Sequence, residues 1–256
     1  MLGLALLLLA LPLAADFGGG EPSEKEELTA TFSIAAVDPE TGLCGAAVAS
    51  KANAACLYVA HARPGVGVFC TQHYSVKAWG AKALDLLADK KLPEEVLAEL
   101  LKNDKGADGR QLAIIDMKGH SAQRHPVGTT KSGNYWGGMS GRFFVCQGNT
   151  LTGREVIVAM AKAYEETKGS FADRLMAALV AGDCAGGDHR GRLSAGIRVC
   201  KKEGEGYWLD QHVDKSDDAV VDLHKRYVES DHEARGEWSK QPYQRPCPDR
   251  PAPKRP

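Results

Sequence analysis

The chain has 256 residues, 43% of them apolar, and a formal net charge of −1. That length accommodates one sizeable core and favours a single domain. The near-neutral charge argues against a nucleic-acid-binding surface, because phosphate recognition draws on clustered Lys and Arg.

Residues 1–15 form an uncharged Leu/Ala run ending Leu11-Pro-Leu-Ala-Ala15, with small residues where signal peptidase cuts. The reading is a signal peptide, and hence a periplasmic or secreted protein. No Lys or Arg precedes the run, so a mis-assigned start codon is the competing reading. The run is too short to span a bilayer comfortably, and no Cys lies beside the cleavage region to accept a lipid. No stable membrane anchor is therefore expected. Residues 16–28 are Gly-rich, then acidic, and read as an exposed spacer.

A folded domain is predicted over residues 29–232. It opens with Thr31-Phe-Ser-Ile-Ala-Ala-Val-Asp-Pro-Glu-Thr-Gly42 and Leu43-Cys-Gly-Ala-Ala-Val-Ala-Ser50-Lys51. Two apolar runs flank a turn rich in Asp, Pro and Gly, which reads as a hairpin, and strands apolar on both faces predict a central place in a sheet. Residues 56–62 and 66–72 read as further strands around Arg63-Pro-Gly65. Val76, Trp79, Ala83, Leu86 and Leu87 follow helical spacing, and Pro93 opens a second helix through Leu101.

A second cycle repeats that order. Residues 110–117 and 120–125 predict a hairpin about Lys118-Gly119, and residues 142–147 a strand after a Gly-rich loop. Helices follow over 153–167 and 171–181, then strands over 193–201 and 207–213, then a helix over 219–228. Short neighbouring strands interleaved with helix pairs favour an α+β fold of antiparallel sheets covered by helices. Residues 233–256 are assigned to a disordered Pro-rich basic tail. From Gln241 onward six of sixteen residues are Pro and four are Lys or Arg, which leaves little apolar surface to bury.

Of seven cysteines, six lie in the predicted domain: Cys44, Cys56, Cys70, Cys146, Cys184 and Cys200. Export permits disulfides, yet buried free thiols on strands fit equally well, and spacing cannot choose among pairings. No Cys-x-x-Cys spacing supports a zinc ribbon.

The chemistry centres on Thr31. Made the first residue, it would carry an α-amine of reference pKa ~8 beside its hydroxyl, so base and nucleophile would share one residue. Lys51, beyond the paired strand, would depress that amine's pKa. Processing must remove Ala30 and everything before it. Gln147-Gly148-Asn149 ends a strand, and Asn149 there offers donors for an oxyanion; it equally reads as a helix N-cap residue. Gly186-Gly187-Asp188-His189-Arg190-Gly191-Arg192 combines exposed backbone N–H groups with donors suited to a carboxylate, and Asp188 would orient an arginine or the amine. The plainer reading of that segment is a helix C-cap with a surface ion pair. Asp210, His212 and Asp214 alternate along one strand face, which admits a divalent metal or simply a polar edge. No metal and no cofactor is assigned.

Five segments then carry a resemblance: the opening hairpin, Gly65-Val-Gly-Val-Phe-Cys-Thr-Gln72, Arg110-Gln111-Leu-Ala-Ile-Ile-Asp116, Gln147-Gly-Asn149 with Leu151, and Ala185-Gly-Gly-Asp-His-Arg-Gly-Arg-Leu-Ser-Ala195. Together, in this order over residues 31–223, they resemble the bacterial domain of unknown function 1028 family. That resemblance implies a four-layer αββα sandwich of two antiparallel sheets, N-terminal-nucleophile-hydrolase-like, and an amide hydrolase without a settled substrate. Val127, Leu193 and His212 depart from the family pattern, which more often has Thr, Gln and Arg there. The expected catalytic residues are Thr31, Lys51, Asn149 and Asp188. The expected substrate-binding residues are Gln72, Arg110, Gln111, His189, Arg190 and Arg192, for a small anionic substrate with a non-peptide or small-peptide C–N amide bond. The alternative is a non-catalytic small-ligand-binding protein on the same fold. Both readings admit a homo-oligomer.

Overall fold

The computed structural model describes residues 27–29, 31–127 and 134–248. The expected signal peptide, most of the spacer and the last part of the tail lie outside them. Eleven strands are described: β1 (Glu27–Thr29), β2 (Thr31–Asp38), β3 (Leu43–Ser50), β4 (Ala60–Arg63), β5 (Gly67–Ser75), β6 (Arg110–Asp116), β7 (Ser121–Arg124), β8 (Tyr135–Gly141), β9 (Phe144–Leu151), β10 (Ser194–Cys200) and β11 (Leu209–Val213). Six α-helices join them: α1 (Cys56–Val59), α2 (Trp79–Ala88), α3 (Pro93–Leu101), α4 (Glu155–Glu166), α5 (Phe171–Cys184) and α6 (Ala219–Glu229).

The strands form two antiparallel sheets. One runs β11-β10-β3-β2-β9-β8; in the other, β1 and β4 share one edge of β5, with β6 and β7 beyond it. The opening hairpin is thus central in the six-stranded sheet. Its turn closes because Asp38 Oδ1 accepts from Glu40 N at 3.0 Å and Thr41 N at 3.3 Å, while Gly42 takes the left-handed φ of 74°.

Three apolar layers follow from strand alternation. Phe32, Ile34 and Ile197 on the outer face of the six-stranded sheet pack against Met160, Leu175, Met176, Leu223 and Tyr227 of α4, α5 and α6. Phe69, Leu112 and Ile114 of the other sheet pack against Leu84, Leu87, Val96 and Leu100 of α2 and α3. Val37, Val48, Val68, Ile115 and Val145 fill the space between the sheets. No helix among the described residues is long and apolar enough to cross a membrane.

Three expectations change. Residues 56–62, read as one strand, start as the single turn α1, where Cys56 and Val59 lie three apart and are both buried. The Gly-rich loop before Phe144 contains the edge strand β8. A Cβ on Gly138 would stand 2.4 Å from Cys146 O, so close strand approach, rather than a turn, demands that glycine. The segment from residue 233 to 248, assigned to a disordered tail, packs against α5 and α6. Ala234 and Ser239 are buried, the Trp238 ring lies 5.1 Å from that of His224, and a disulfide joins Cys184 to Cys247. Composition alone hid this, because the segment is held by a few anchors rather than by an apolar face of its own.

One anchor is the buried carboxylate of Asp173. With Ser170 it forms the capping box of α5, and it also accepts from Tyr227 Oη at 2.8 Å and from Trp238 N at 3.2 Å. Asp173→Ala takes the side-chain acceptor from Ser170 N and Trp238 N and leaves Tyr227 Oη to Ala234 O at 3.2 Å, and is expected to cost roughly 2–4 kcal/mol in chemical denaturation, whereas removing the exposed Lys162–Glu166 pair changes little. Titration of the unfolded, unreduced protein should find five thiols, for Cys44, Cys56, Cys70, Cys146 and Cys200, rising to seven after reduction.

Candidate active site

The layer between the sheets is apolar along most of its length and polar at one end. Alternation sends Ala35 and Val37 of β2 into it, so Thr31 and Ser33 face the same way. Gln72 follows Val68 and Cys70 on β5, Gln111 precedes Ala113 and Ile115 on β6, and Gln147 and Asn149 follow Val145 on β9. All six polar residues are buried. Each such group costs about 1–3 kcal/mol if left unpaired, so their hydrogen bonds reveal what the cluster is built around.

They are built around Thr31. Its N donates to Asn149 Oδ1 at 3.3 Å, its Oγ1 lies 3.0 Å from Ser50 Oγ, and its O accepts from Gln72 Nε2 at 3.1 Å. Gln72 also donates to Gln111 Oε1 at 2.8 Å and accepts from Ser33 Oγ at 2.8 Å. Gln111 Oε1 accepts a second bond from Asn149 Nδ2 at 2.8 Å, while Gln111 Nε2 donates to Gly148 O at 2.8 Å. This chain of partners sets the orientation of the Gln72, Gln111 and Asn149 amides. It also corrects one expectation. The amide donor of Asn149 is engaged by Gln111, and its acceptor oxygen faces Thr31 N, so Asn149 suits an amine N–H rather than an oxyanion.

The Asp188 loop joins the same network. After α5 the chain reverses through Gly186 and Gly187, with left-handed φ of 115° and 56°, and Asp188 makes a bridge to Leu151. Thr150, itself at φ 52°, carries its Oγ1 2.8 Å from Asp188 Oδ2 and 3.4 Å from Asn149 Oδ1, and accepts from Arg190 Nη2 at 2.8 Å. Asp188 and Thr31 are therefore linked through Thr150 and Asn149 in one cluster. Burial raises the Asp188 carboxyl above the usual range; the Arg190 backbone N–H and guanidinium and the Thr150 hydroxyl oppose that rise. His73, in the opposite sheet at φ 65°, stacks edge-on to Trp136 at 4.6 Å. Burial lowers its pKa, Gly109 O pulls it back up, and the charge of Arg190 lowers it further.

Other candidates stand differently. Lys51 is half-buried directly after Ser50 and makes no ion pair among the described residues. His189 is turned to Thr150 O, through its N at 3.1 Å and its Nδ1 at 2.8 Å. Arg110 and Arg192, expected to bind substrate, are structural. Arg110 grips Asp104 at 2.8 Å, donates to Tyr74 O at 2.7 Å and lies over the Trp79 ring. Arg192 joins Asp183 of α5 at 2.8 Å to Asp218, ahead of α6, at 2.7 Å. Gln72 and Gln111 are wholly buried and support Thr31 instead of facing a ligand. Arg198 engages both oxygens of Asp210, with His212 3.4 Å away, and the described residues gather no cluster of three or more metal-binding groups.

Sequence reasoning missed Ser50, Thr150 and Ser33. Ser50 was within reach, because a hairpin turning at Asp38–Leu43 pairs Thr31 with Ser50 by register. Thr150 carried no signal, since a left-handed Thr is not visible in a strand pattern.

Comparison with other proteins agrees with this outline. A crystal structure of protein SPO2555 from Silicibacter pomeroyi, described as DUF1028, is similar at 28% identity and TM-score 0.69, over 79% of this chain and 88% of that one. No curated protein matches. The model of the family of unknown function DUF1028 matches residues 31–223, most of the folded region, and the chain belongs to that family.

Proposed function

We propose that the protein is an exported amide hydrolase whose nucleophile is Thr31, made terminal by cleavage of the Ala30–Thr31 bond. The observation that carries this reading is the setting of Thr31, whose nitrogen, hydroxyl and carbonyl are each hydrogen-bonded in a buried polar cluster. Two antiparallel sheets with helices on their outer faces suit the N-terminal-nucleophile-hydrolase sandwich, and the family match starts at Thr31. The Leu/Ala run of residues 1–15 supports export to the periplasm or beyond.

In the cut chain the α-amine of Thr31 takes the proton from Oγ1 as Oγ1 bonds to the substrate's amide carbon. The C–N bond then breaks, and the leaving amine departs with that proton. Water attacks the resulting ester, releases the carboxylic acid and restores the hydroxyl. Asn149 Oδ1 accepts an amine N–H and so aims the lone pair, while Ser50 Oγ holds Thr31 Oγ1. Asp188 and Arg190 brace Thr150 against Asn149, and the Arg190 side chain, 35% exposed, offers a positive charge to an anionic substrate. In the uncut chain Thr31 N is an amide without a basic lone pair, and the same cluster serves at most to bind.

Hydrolysis should appear only after the Ala30–Thr31 bond is cut, and Thr31→Ala should abolish it while the circular-dichroism spectrum stays that of the folded protein. Equal turnover by the cut and uncut chains would overturn the mechanism. Asp188 gives a second check through its raised pKa. A carboxyl raised in the fold contributes stability that is fully present below its unfolded value of ~3.9 and is lost as pH rises through the higher folded value. Asp188→Asn is therefore expected to raise the thermal midpoint at pH above that folded value while lowering kcat about tenfold or more, because the carboxyl oxygens that meet Thr150 and Arg190 are no longer both acceptors. A midpoint that falls would contradict the assignment.

A further inference from the structure

The segment ahead of Thr31 is itself informative. β1 lies antiparallel on the edge of β5, with Glu27 opposite Ser75, Leu28 opposite Tyr74 and Thr29 opposite His73. The same edge is taken by β4 only from Gly67 to Cys70, so the part nearest the Thr31 cluster is left to the leader. One residue later the chain enters β2 in the other sheet, where Thr31 pairs with Ser50. The described part of the leader, β1, therefore runs along β5 and ends two residues before Thr31. The leader forms the acyl half of the first amide that must be broken there.

We infer that the edge of β5 from His73 to Ser75 is a docking strand for an extended peptide, and that the substrate's acyl side is peptidic. This inference rests on Thr31 as the terminal nucleophile. Once the leader is released, the length of β5 edge that β1 covers is open to another strand, and ladder pairing there recognises an extended backbone irrespective of its side chains. A peptide that replaces β1 in the same direction would continue past the position of Thr29 toward Thr31, following the chain direction from β1 to β2. The site is shaped for this at its near end. His73, the register position opposite Thr29, departs from strand geometry at φ 65°, with its Nδ1 2.8 Å from Gly109 O and its ring packed on Trp136. Beside it Tyr74, 38% exposed, borders the path of the peptide.

The test uses the full chain with residues 27–30 replaced by the recognition sequence of a protease that cuts after its site, so that the folded protein is severed just before residue 31. In a Thr31→Ala version, which binds without turnover, a peptide of sequence Lys25–Ala30 should bind the cut chain, protect the amides of His73–Ser75 from hydrogen exchange, and bind about tenfold more weakly when Pro replaces its Leu28. The uncut chain carrying its natural leader should not bind it. With Thr31 retained, the same peptide joined through its Ala30 carbonyl to a fluorogenic amine should be hydrolysed with a KM about tenfold lower than that of acetyl-alanine bearing the same amine. Hydrolysis of both substrates with equal KM and no peptide protection overturns the docking strand and leaves the nucleophile standing. Peptide binding without hydrolysis overturns the nucleophile and leaves the docking strand.

Discussion

The pairing of β2 with β3 is the constraint on which the rest depends. Register fixes Thr31 opposite Ser50, and the two-residue period of a strand then decides which side chains enter the helix-covered core and which enter the layer between the sheets. A slip of one residue would move Phe32 and Ile34 out of the outer core and turn Thr31 away from Gln72 and Asn149. Apolar sorting along the hairpin therefore also positions the polar cluster. The energy that holds the register comes from burying Phe32, Ile34 and Val37 on two different faces, so the hairpin tolerates little displacement in either direction.

The cluster around Thr31 is the costly part of this arrangement. A hydroxyl pair, three glutamines and an asparagine occupy volume that the neighbouring inter-sheet layer fills with Ala, Val and Ile. Such a group of dipoles persists only if nearly every donor finds an acceptor. Here the closure is almost complete; among the described residues Gln147 Oε1 is the member of the cluster without a donor. Buried thiols nearby take no part. Burial pushes Cys56 and Cys70 up to about 12, so neither is a nucleophile near neutral pH. The hydroxyl of Thr31 lies instead within the polar cluster, 3.0 Å from Ser50 Oγ.

Charge is used in two ways that residue type does not separate. Arg110 and Arg192 are almost fully buried and each is matched to carboxylates, which ties α3's following loop to β6 and α5 to the entrance of α6. Arg190, two residues before Arg192, remains one-third exposed and shares Asp188 with Thr150. The distinction comes from where Gly186, Gly187 and Gly191 let the chain turn, each at a positive φ. It separates a bracing arginine from one able to meet a ligand.

Much of the outline was legible in the chain itself. Alternating and helical apolar periods, turn residues such as Asp38-Pro39 and the Pro93 helix start are local signals, so the central hairpin, most strands and helices α2 to α6 follow from neighbours in sequence. The motifs were likewise sufficient to reach the family. Only the folded arrangement decided the partners of those motifs. Nothing local shows that Asn149 presents its oxygen to Thr31, that Arg110 and Arg192 are consumed by Asp104, Asp183 and Asp218, or that Cys247 reaches Cys184 across a sequence separation of 63. Hydrogen bonds and ion pairs depend on distances between remote segments, whereas periodicity records only which face of one element is buried. The elements were therefore written in the sequence, and the chemistry of the Thr31 cluster arose when two sheets brought their polar ends together.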